Sequence, residues 1–234
     1  SFMQGSATGI GVQSERSVAN IDTSVFFLGS SDSGINTVFY SNGMNNPQRI
    51  STNALENTFS EISDPKGAIG FCYYTEGHTF YVLTFENAKR TFVYDLSTKE
   101  WHERSTRNWD TSEDIAWEPL FAVTAYNKVY HGSVLSNRLL LLDPNKYTDA
   151  DDKPIIRQRV TPIYFADFNI LKIREFMLDL EVGTTPLLEG LGRDPQVVLD
   201  ISRDGGNTWI NFDWRSIGQQ GDYQKTVKWN NIGS

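Results

Sequence analysis

Residues 77–104 combine two runs of alternating side chains with a polar turn, and this pattern constrains the fold more than any other part of the sequence. Side-chain types alternate through residues 80–85, a polar stretch follows at 86–89, and a second extended run covers 91–96. This alternation is typical of β-strands and does not fit the longer repeat of a helix. We therefore predict two antiparallel strands joined by a short turn.

The turn after the second strand has the order found in propeller blades. Tyr94 lies on the strand, Asp95 turns the chain and Trp101 enters the next strand. Further strands are predicted in similar groups, at 23–28 and 36–40, at 68–74, 78–85 and 90–96, and at 120–125, 128–133 and 139–142. We predict an all-β fold of propeller-like blades with antiparallel strands, and a β-sandwich is the alternative.

One segment, residues 52–62, has helical spacing. Leu55, Phe59 and Ile62 fall on one face of a helix. Asn53 followed by Glu56 predicts a capping-box start. We expect a short helical insertion between blades and less than about a quarter of the residues in helix.

The strand pattern changes character in the last third of the chain. Residues 143–154 are acidic, contain proline and predict a loop, and alternation resumes from Ile170 and again at 196–201. We predict a propeller-like β domain at 1–166 and a further β segment at 167–234. We also expect the chain to be a fragment that lacks terminal parts of a longer protein.

Composition excludes several classes of protein. The chain has 234 residues, 39% of them hydrophobic, which is enough to bury a substantial core. A net charge of −8 argues against a protein that grips nucleic acid by neutralising phosphates. The single cysteine, Cys72, cannot form an intramolecular disulfide. Because there is no apolar run of about 18 residues, no membrane span is expected.

An Asp box, Ser-x-Asp-x-Gly-x-Thr-Trp, is matched at every specified position by Ser202, Asp204, Gly206, Thr208 and Trp209. In this motif the carboxylate accepts bonds across a hairpin turn, glycine allows positive φ, and tryptophan packs the turn onto the sheet. We interpret it as a structural turn. Sialidases carry several such boxes together with catalytic arginines, so a sialidase-like glycan-binding protein is a minor alternative.

No catalytic, cofactor or metal site is predicted. His78, His102 and His131 lie on separate segments without the spacing of metal ligands, which indicates turn or core-edge positions. Residues 149–152 lack the glycine and terminal glutamate of a calcium loop. No phosphate-cradling glycine pattern occurs. The six tryptophans are expected in the core rather than on a carbohydrate platform.

Several segments together resemble the packaged-DNA stabilisation proteins of short-tailed phages, whose genes also occur in prophages. The similarity is collinear over about residues 9–233. It rests on SVFFLG (24–29), PQRIST-x-ALE (47–56), the run 74–85 with GH-x-FYVLTF, TFVYDLSTKEWHER (91–104) and the segment from Asp194-Pro195 to the Asp box.

This resemblance implies a structural tail component of the virion, assembled in the host cytoplasm, with no enzymatic activity. Such proteins form homo-oligomeric rings below the portal, contact other tail proteins, and close or extend a channel through which double-stranded DNA passes without tight binding. The isolated chain is expected to be monomeric or weakly associated. A kelch-like protein-interaction module, which the same blade pattern allows, is the alternative.

Overall fold

The computed structural model consists mainly of antiparallel β-strands. It describes residues 10–30, 34–42, 46–149, 152–165, 167, 170–185, 189 and 192–233. Strands account for 47% of the residues and helices for 9%, which confirms the predicted all-β class. The chain divides into two compact units between Asp143 and Pro144.

The first sheet of the first unit is built around a hairpin of two largely buried strands. Its strands are β1 (Gly11–Val12), β2 (Ala19–Ile21), β3 (Ser24–Ser30), β4 (Asn36–Ser41) and β5 (Gln48–Arg49). Strands β1, β3, β4 and β5 lie in that order, and β2 also pairs with β3. The hairpin predicted at 23–28 and 36–40 corresponds to β3 and β4.

Helix α1 (Asn53–Glu61) follows the first sheet, and Phe59 packs in the core beside it. Thr52 is the N-cap, because its hydroxyl accepts a hydrogen bond of 3.3 Å from the Leu55 N–H. The predicted capping box of Asn53 and Glu56 is wrong, since the Glu56 carboxylate is engaged elsewhere. Within the described residues, no helix is long and apolar enough to cross a membrane.

The second sheet is a five-stranded meander. Its strands are β6 (Ile69–Thr75), β7 (His78–Phe85), β8 (Arg90–Asp95), β9 (Glu100–Asn108) and β10 (Glu113–Ala116). Each strand pairs with the next along the chain. The β7–β8 turn is a 3-10 helix (Glu86–Ala88) that ends at Lys89 with φ 55°. β7 and β8 confirm the two antiparallel strands predicted from the alternation in residues 77–104.

The third sheet has three strands in chain order. They are β11 (Pro119–Ala125), β12 (Lys128–Ser133) and β13 (Leu139–Leu141). All three were predicted from the sequence to within one residue at each end. A register shift interrupts the pairing of β11 and β12 between Pro119 and Phe121.

The two faces of the second sheet pack against different neighbours. One face packs on the first sheet and α1 through a core that includes Phe26, Leu28, Val38, Phe59, Tyr81, Leu83, Phe92 and Tyr94. The other face packs on the third sheet through Phe71, Tyr73, Val82, Val93 and Val129. The three sheets therefore stack in chain order, as the blades of a propeller do.

The second unit contains two strand pairs around one apolar core. Its strands are β14 (Ile173–Leu178), β15 (Gln196–Ile201), β16 (Ile210–Ser216) and β17 (Val227–Gly233). β14 pairs with β17 and β15 pairs with β16, both antiparallel. Trp229 is buried in a core to which all strands except β16 contribute.

The boundary between the two compact units does not coincide with the change in sequence pattern. The pattern changes near Asp167, whereas the division between compact units lies between Asp143 and Pro144. Residues 155–165 contain neither helix nor strand. They therefore carry no periodic signal that could assign them to either unit.

The tryptophans are less buried than predicted. Trp229 is buried, and Trp101 and Trp117 are partly buried, but Trp109, Trp209 and Trp214 are exposed. The expectation of core positions is wrong for these last three. They lie in turns or on β16, where one side of the backbone faces solvent.

Candidate functional sites

Residues 47–56, the PQRIST-x-ALE segment, form a hydrogen-bonded cluster at the start of helix α1, which we call the α1 clamp. The Arg49 guanidinium donates two hydrogen bonds to the Glu56 carboxylate, at 2.7 and 2.8 Å, and it also contacts Asn53 Oδ1. Ser51 Oγ donates to Glu56 Oε1 at 2.7 Å. The Glu56 side chain is buried, so these donors compensate a charge removed from water.

The same clamp connects α1 to two sheets. Ser51 Oγ accepts a bond of 3.0 Å from the backbone N–H of Val38, on β4 of the first sheet. Trp101 Nε1, on β9 of the second sheet, donates to the Ile50 carbonyl at 2.9 Å. The motif is therefore a structural junction, and its polar residues are occupied in holding elements together.

The blade-like turn after β8 is closed by the Asp95 carboxylate. Asp95 Oδ2 lies 2.7 Å from His78 Nδ1, and Asp95 Oδ1 accepts the Ser97 N–H at 2.8 Å. Burial alone would raise the pKa of Asp95, but hydrogen bonds from His78, Ser97 and Thr98 outweigh it and lower the pKa. Tyr94, Asp95 and Trp101 thus have the roles predicted for a blade turn.

An arginine lies among aromatic rings where the second and third sheets meet. The Arg104 guanidinium is 4.8 Å from the ring centre of Trp117, 5.2 Å from Phe80 and 5.9 Å from Tyr73. Its Nη1 donates to the Tyr73 hydroxyl at 2.5 Å, and its Nε donates to His102 Nε2 at 3.1 Å. These contacts position a cation beside three ring faces.

His131 on β12 is buried in the same interface. Its ring is 5.1 Å from Tyr73, 5.3 Å from Trp117 and 5.9 Å from Phe71, in edge-on contacts. Neither ring nitrogen forms a side-chain hydrogen bond of good geometry among the described residues. Burial and the nearby Arg104 charge lower the pKa of His131 to about 4, and the Phe121 backbone opposes this slightly. The imidazole is therefore neutral at pH 7.

The strand register brings together histidines that are far apart in the sequence. The His78 ring stacks on Phe80 and the His102 ring meets Phe80 edge-on, while His131 contacts Tyr73, which stacks on Phe80. The sequence interpretation of separate turn or core-edge positions is wrong for His131, which is in the core. The sequence did not reveal this proximity, because it depends on the register of β6, β7, β8 and β9 and on the packing of β12 against the second sheet.

No metal site is formed by these residues. Within the described part of the chain, no group of three or more His, Cys, Asp or Glu residues is placed to hold a metal ion. Asp149 accepts the Lys153 N–H at 3.0 Å in a local turn, and Ala150 and Asp151 lie outside the described residues. The carboxylate of Asp149 thus supports its own turn.

The Asp box forms the turn between β15 and β16. Asp204 Oδ1 accepts from the Thr208 N–H and from Ser202 Oγ, both at 2.8 Å, and Asp204 Oδ2 accepts from Thr208 Oγ1 at 2.6 Å. The Gly206 N–H donates to Ser202 Oγ at 2.8 Å. Gly206 has φ +94°, a conformation that side chains with a Cβ rarely adopt.

The hydrogen bonds of the Asp box stabilise its own turn. Hydrogen bonds from Thr208 and Ser202 lower the pKa of Asp204 to about 2. Trp209 Nε1 donates to the Gly206 carbonyl at 3.1 Å and the ring is half exposed. The tryptophan therefore folds back on its own turn instead of packing on the sheet as expected. The side chains of Ser202, Asp204, Thr208 and Trp209 therefore all form hydrogen bonds within the turn.

Two family matches cover most of the chain. Residues 2–147 match the family described as "Bacteriophage P22 Gp10, beta-propeller", and residues 156–234 match "Bacteriophage P22 Gp10, beta-sandwich". Among curated proteins, none matches the chain. The order of the two matches agrees with the stacked sheets of the first unit and the two strand pairs of the second. The chain therefore belongs to the bacteriophage P22 Gp10 family of phage packaged-DNA stabilisation proteins.

Proposed function

We propose that this protein forms part of a homo-oligomeric ring below the portal of a short-tailed phage, where it extends the DNA channel and retains the packaged duplex. Membership of the Gp10 family supports a structural role in the phage tail, and hence a place in the virion. The ring, the portal contact and the closure of the channel belong to the proposal, as does assembly in the host cytoplasm.

The observation that carries the proposal is the family match over both units, 2–147 and 156–234. The architecture suits a structural role, because its stacked sheets are held together by aromatic cores and helix α1 is fixed by the bonds between Arg49 and Glu56. A match in both regions also favours the phage role over a kelch-like module, whose resemblance would be limited to the blades.

The charge of the chain supports passage of DNA without tight binding. At a net charge of −8, the protein offers few partners for phosphates, and like charges on the duplex and the wall oppose adhesion. The partly exposed Arg90 is already paired with Glu103 at 2.7 Å. A duplex in such a channel would slide when the tail opens.

The direct test is retention of DNA by phage particles. Particles assembled without their own stabilisation protein are incubated with this protein, and the fraction of packaged DNA that becomes accessible to nuclease is measured. We expect the protein to bind below the portal, visible by electron microscopy, and to reduce DNA release. Particles that release DNA equally with and without it would exclude the proposed role.

A titration with free duplex DNA tests the passive channel separately. In about 0.15 M salt, where exposed charges are screened within roughly 8 Å, we expect no saturable binding below micromolar protein. Sequence-specific binding at nanomolar concentrations would contradict a channel that releases its cargo. A salt-independent interaction would contradict it as well.

We also propose that the protein has no glycosidase activity. The Asp box carboxylate is used by Ser202 and Thr208, so it is not available to a substrate. The test is hydrolysis of a fluorogenic sialoside by the wild-type protein. Turnover that disappears when Asp213 or Asp200 is replaced by Asn would overturn this part of the proposal.

A further inference from the structure

The strands of the third sheet are held to the second sheet by side-chain packing. Val129 on β12 lies in a core with Phe71 and Tyr73 on β6, and Ala122 on β11 packs against this core. Among the described residues, no hydrogen bond joins β11, β12 or β13 to a strand of the second sheet. The contact between these two sheets is therefore apolar and aromatic.

The contact between the first and second sheets is different, because hydrogen bonds cross it. The Tyr81 hydroxyl on β7 donates to the Ser17 carbonyl at 2.8 Å, and Ser17 Oγ accepts the N–H of Leu28 on β3 at 2.9 Å. The bond from Trp101 to the Ile50 carbonyl crosses the same contact. Since each of these bonds adds to the free energy of separation, we expect the third sheet to separate from the second more readily than the second from the first.

Two residues at the entrance to β11 are anchored on both sheets. The Trp117 N–H donates to Thr91 Oγ1 on β8 at 3.0 Å, and the Glu118 N–H donates to Thr106 Oγ1 on β9 at 2.9 Å. On the other side, the Glu118 carbonyl accepts the Val134 N–H, just after β12, at 3.1 Å. The geometry of a hinge is thus present, with the second sheet on one side and the third on the other.

His131 on β12 lies within the contact between the second and third sheets. It is 2% exposed, and its ring meets Phe71, Tyr73 and Trp117 edge-on. In the described part of the chain, neither ring nitrogen has a hydrogen-bond partner of good geometry. A proton on this ring would bury a cation and its N–H donors, whereas water would solvate the same cation if the two sheets separated.

The groups that face His131 from the second sheet do not compensate a positive charge. Burial and the Arg104 charge on β9 lower the pKa of His131 to about 4, and the Phe121 backbone opposes this. Tyr73 on β6 stays neutral, since burial raises its pKa. His102 on β9 accepts a bond from Arg104, and burial together with that charge lowers its pKa to about 4 as well.

The carboxylates near this contact are engaged with other groups. Asp95 on β8 is bonded to His78, and Glu118 is bonded to Ser133 Oγ. The other titratable side chains on the strands of the third sheet alternate with His131 and face the opposite side, namely Lys128 and Tyr130. Protonated His131 is therefore stabilised only when its ring reaches water.

We propose that the third sheet is a flap, hinged at Trp117 and Glu118, which acid opens by protonating His131 while the second sheet stays packed on the first. The closed flap excludes the proton and the open flap binds it, so lowering the pH favours the open state. Opening would expose the rings of Phe71 and Tyr73 together with the Arg104 guanidinium. Because one sheet moves, this opening differs from unfolding of the whole first unit.

The test uses two thiols in one variant, which report the two contacts separately. Val129→Cys places a thiol between the second and third sheets, at a position that is 7% exposed. The native Cys72 packs against the core between the first and second sheets and is the internal control. A dithiodipyridine reagent, which reacts in acid, labels both thiols, and mass spectrometry follows each position. Every rate is divided by that of a free cysteine peptide at the same pH.

We expect the corrected labelling rate of Val129→Cys to rise by roughly 20-fold from pH 7 to pH 5. This is the change in the open fraction when the pKa of His131 is about 4 in the closed flap and 6.5 in the open one. The corrected rate of Cys72 should stay nearly constant. Adding His131→Phe should remove the rise, whereas His102→Gln, at the other histidine whose pKa is lowered, should keep it.

Three outcomes would overturn the proposal. An equal rise at Cys72 would show that acid unfolds the whole first unit, and a constant rate at Val129→Cys would show that the flap stays closed. A rise that persists in both His131→Phe and His131→Leu would assign the opening to another group. These two replacements differ in shape, and tryptophan fluorescence at pH 7 identifies which of them is folded, so misfolding of one leaves the other as the test.

Discussion

The imidazole of His131 meets the ring of Tyr73 edge-on, with ring centres 5.1 Å apart and planes at 85°. This contact joins β12 of the third sheet to β6 of the second. Because Arg104 lies beside the same rings, a proton on His131 would add a second positive charge to a buried interface. The packing of two blades is thus coupled to the protonation of one side chain.

We predict that the free energy of unfolding decreases as the pH is lowered from 6.5 to 4. His131 has its pKa lowered from 6.5 to about 4, so in this range the unfolded chain binds a proton that the folded chain excludes. Above pH 6.5 the His131 imidazole is neutral in both the folded and the unfolded chain, so the effect vanishes. It should reach roughly 3 kcal/mol at the acidic end, since one pKa unit corresponds to about 1.4 kcal/mol. Guanidinium unfolding at several pH values measures it.

His131→Phe is the control for this pH dependence. Phenylalanine fits the aromatic surroundings, so the variant should be as stable as the wild type at pH 7 and should lose most of the decline towards pH 4. The pKa of His102 is also lowered to about 4, but its ring is exposed and solvent screens it. An unchanged pH profile in the variant would assign the decline to other groups.

A side chain at Gly132 is expected to displace the Phe121 ring. A Cβ at this position would overlap the tip of this half-exposed ring, which can move aside, so Gly132→Ala should destabilise the protein by about 1 kcal/mol, the low end of the usual cost of overpacking. Phe121→Ala removes the obstacle. In the double variant, the added methyl group should therefore cost little, and a double-mutant cycle would show the coupling. Equal costs of Gly132→Ala in both backgrounds would contradict this reading of the contact.

Local alternation located eight of the thirteen strands described in the first unit. β7 and β12 occur at the predicted residues because both contain β-branched and aromatic residues and are bounded by short turns. The short strands β1, β2 and β5 were missed, since two or three residues carry no readable period. The outer part of β9 was missed because its sequence is polar throughout, and its pairing comes from tertiary context.

The sites were less predictable than the strands. The Asp box was found because all its partners lie within eight consecutive residues. The surroundings of His131 were not, since Tyr73, Arg104 and Trp117 reach it only through the register of two sheets. Likewise, Glu56 was assigned to a helix cap because the sequence does not reveal that Arg49 and Ser51 approach the same carboxylate.

Removal of Arg49 should destabilise the protein more than removal of its partner Glu56. Arg49→Ala leaves the buried Glu56 carboxylate without its main donor, which should cost roughly 3 kcal/mol. Glu56→Gln leaves a guanidinium that is already half exposed and can be hydrated, so a loss of roughly 2 kcal/mol is expected. Arg49→Lys keeps the charge but not the paired bonds, so its loss of stability should lie between those of Arg49→Ala and Glu56→Gln. Denaturant midpoints give the order, and the reverse order would refute it.

Asp204 should control the acid stability of the second unit in a lower pH range than His131. Its pKa is lowered from 3.8 to about 2 by bonds from Thr208 and Ser202, so its contribution is complete above pH 3.8 and is lost as the pH falls towards 2. Asp204→Asn should lower the melting temperature at pH 7 and remove this part of the acid profile. Asp200→Asn, on the strand leading into the same turn, is the matched control and should keep it. Identical acid profiles for Asp204→Asn and the wild type would mean that the carboxylate does not hold the turn.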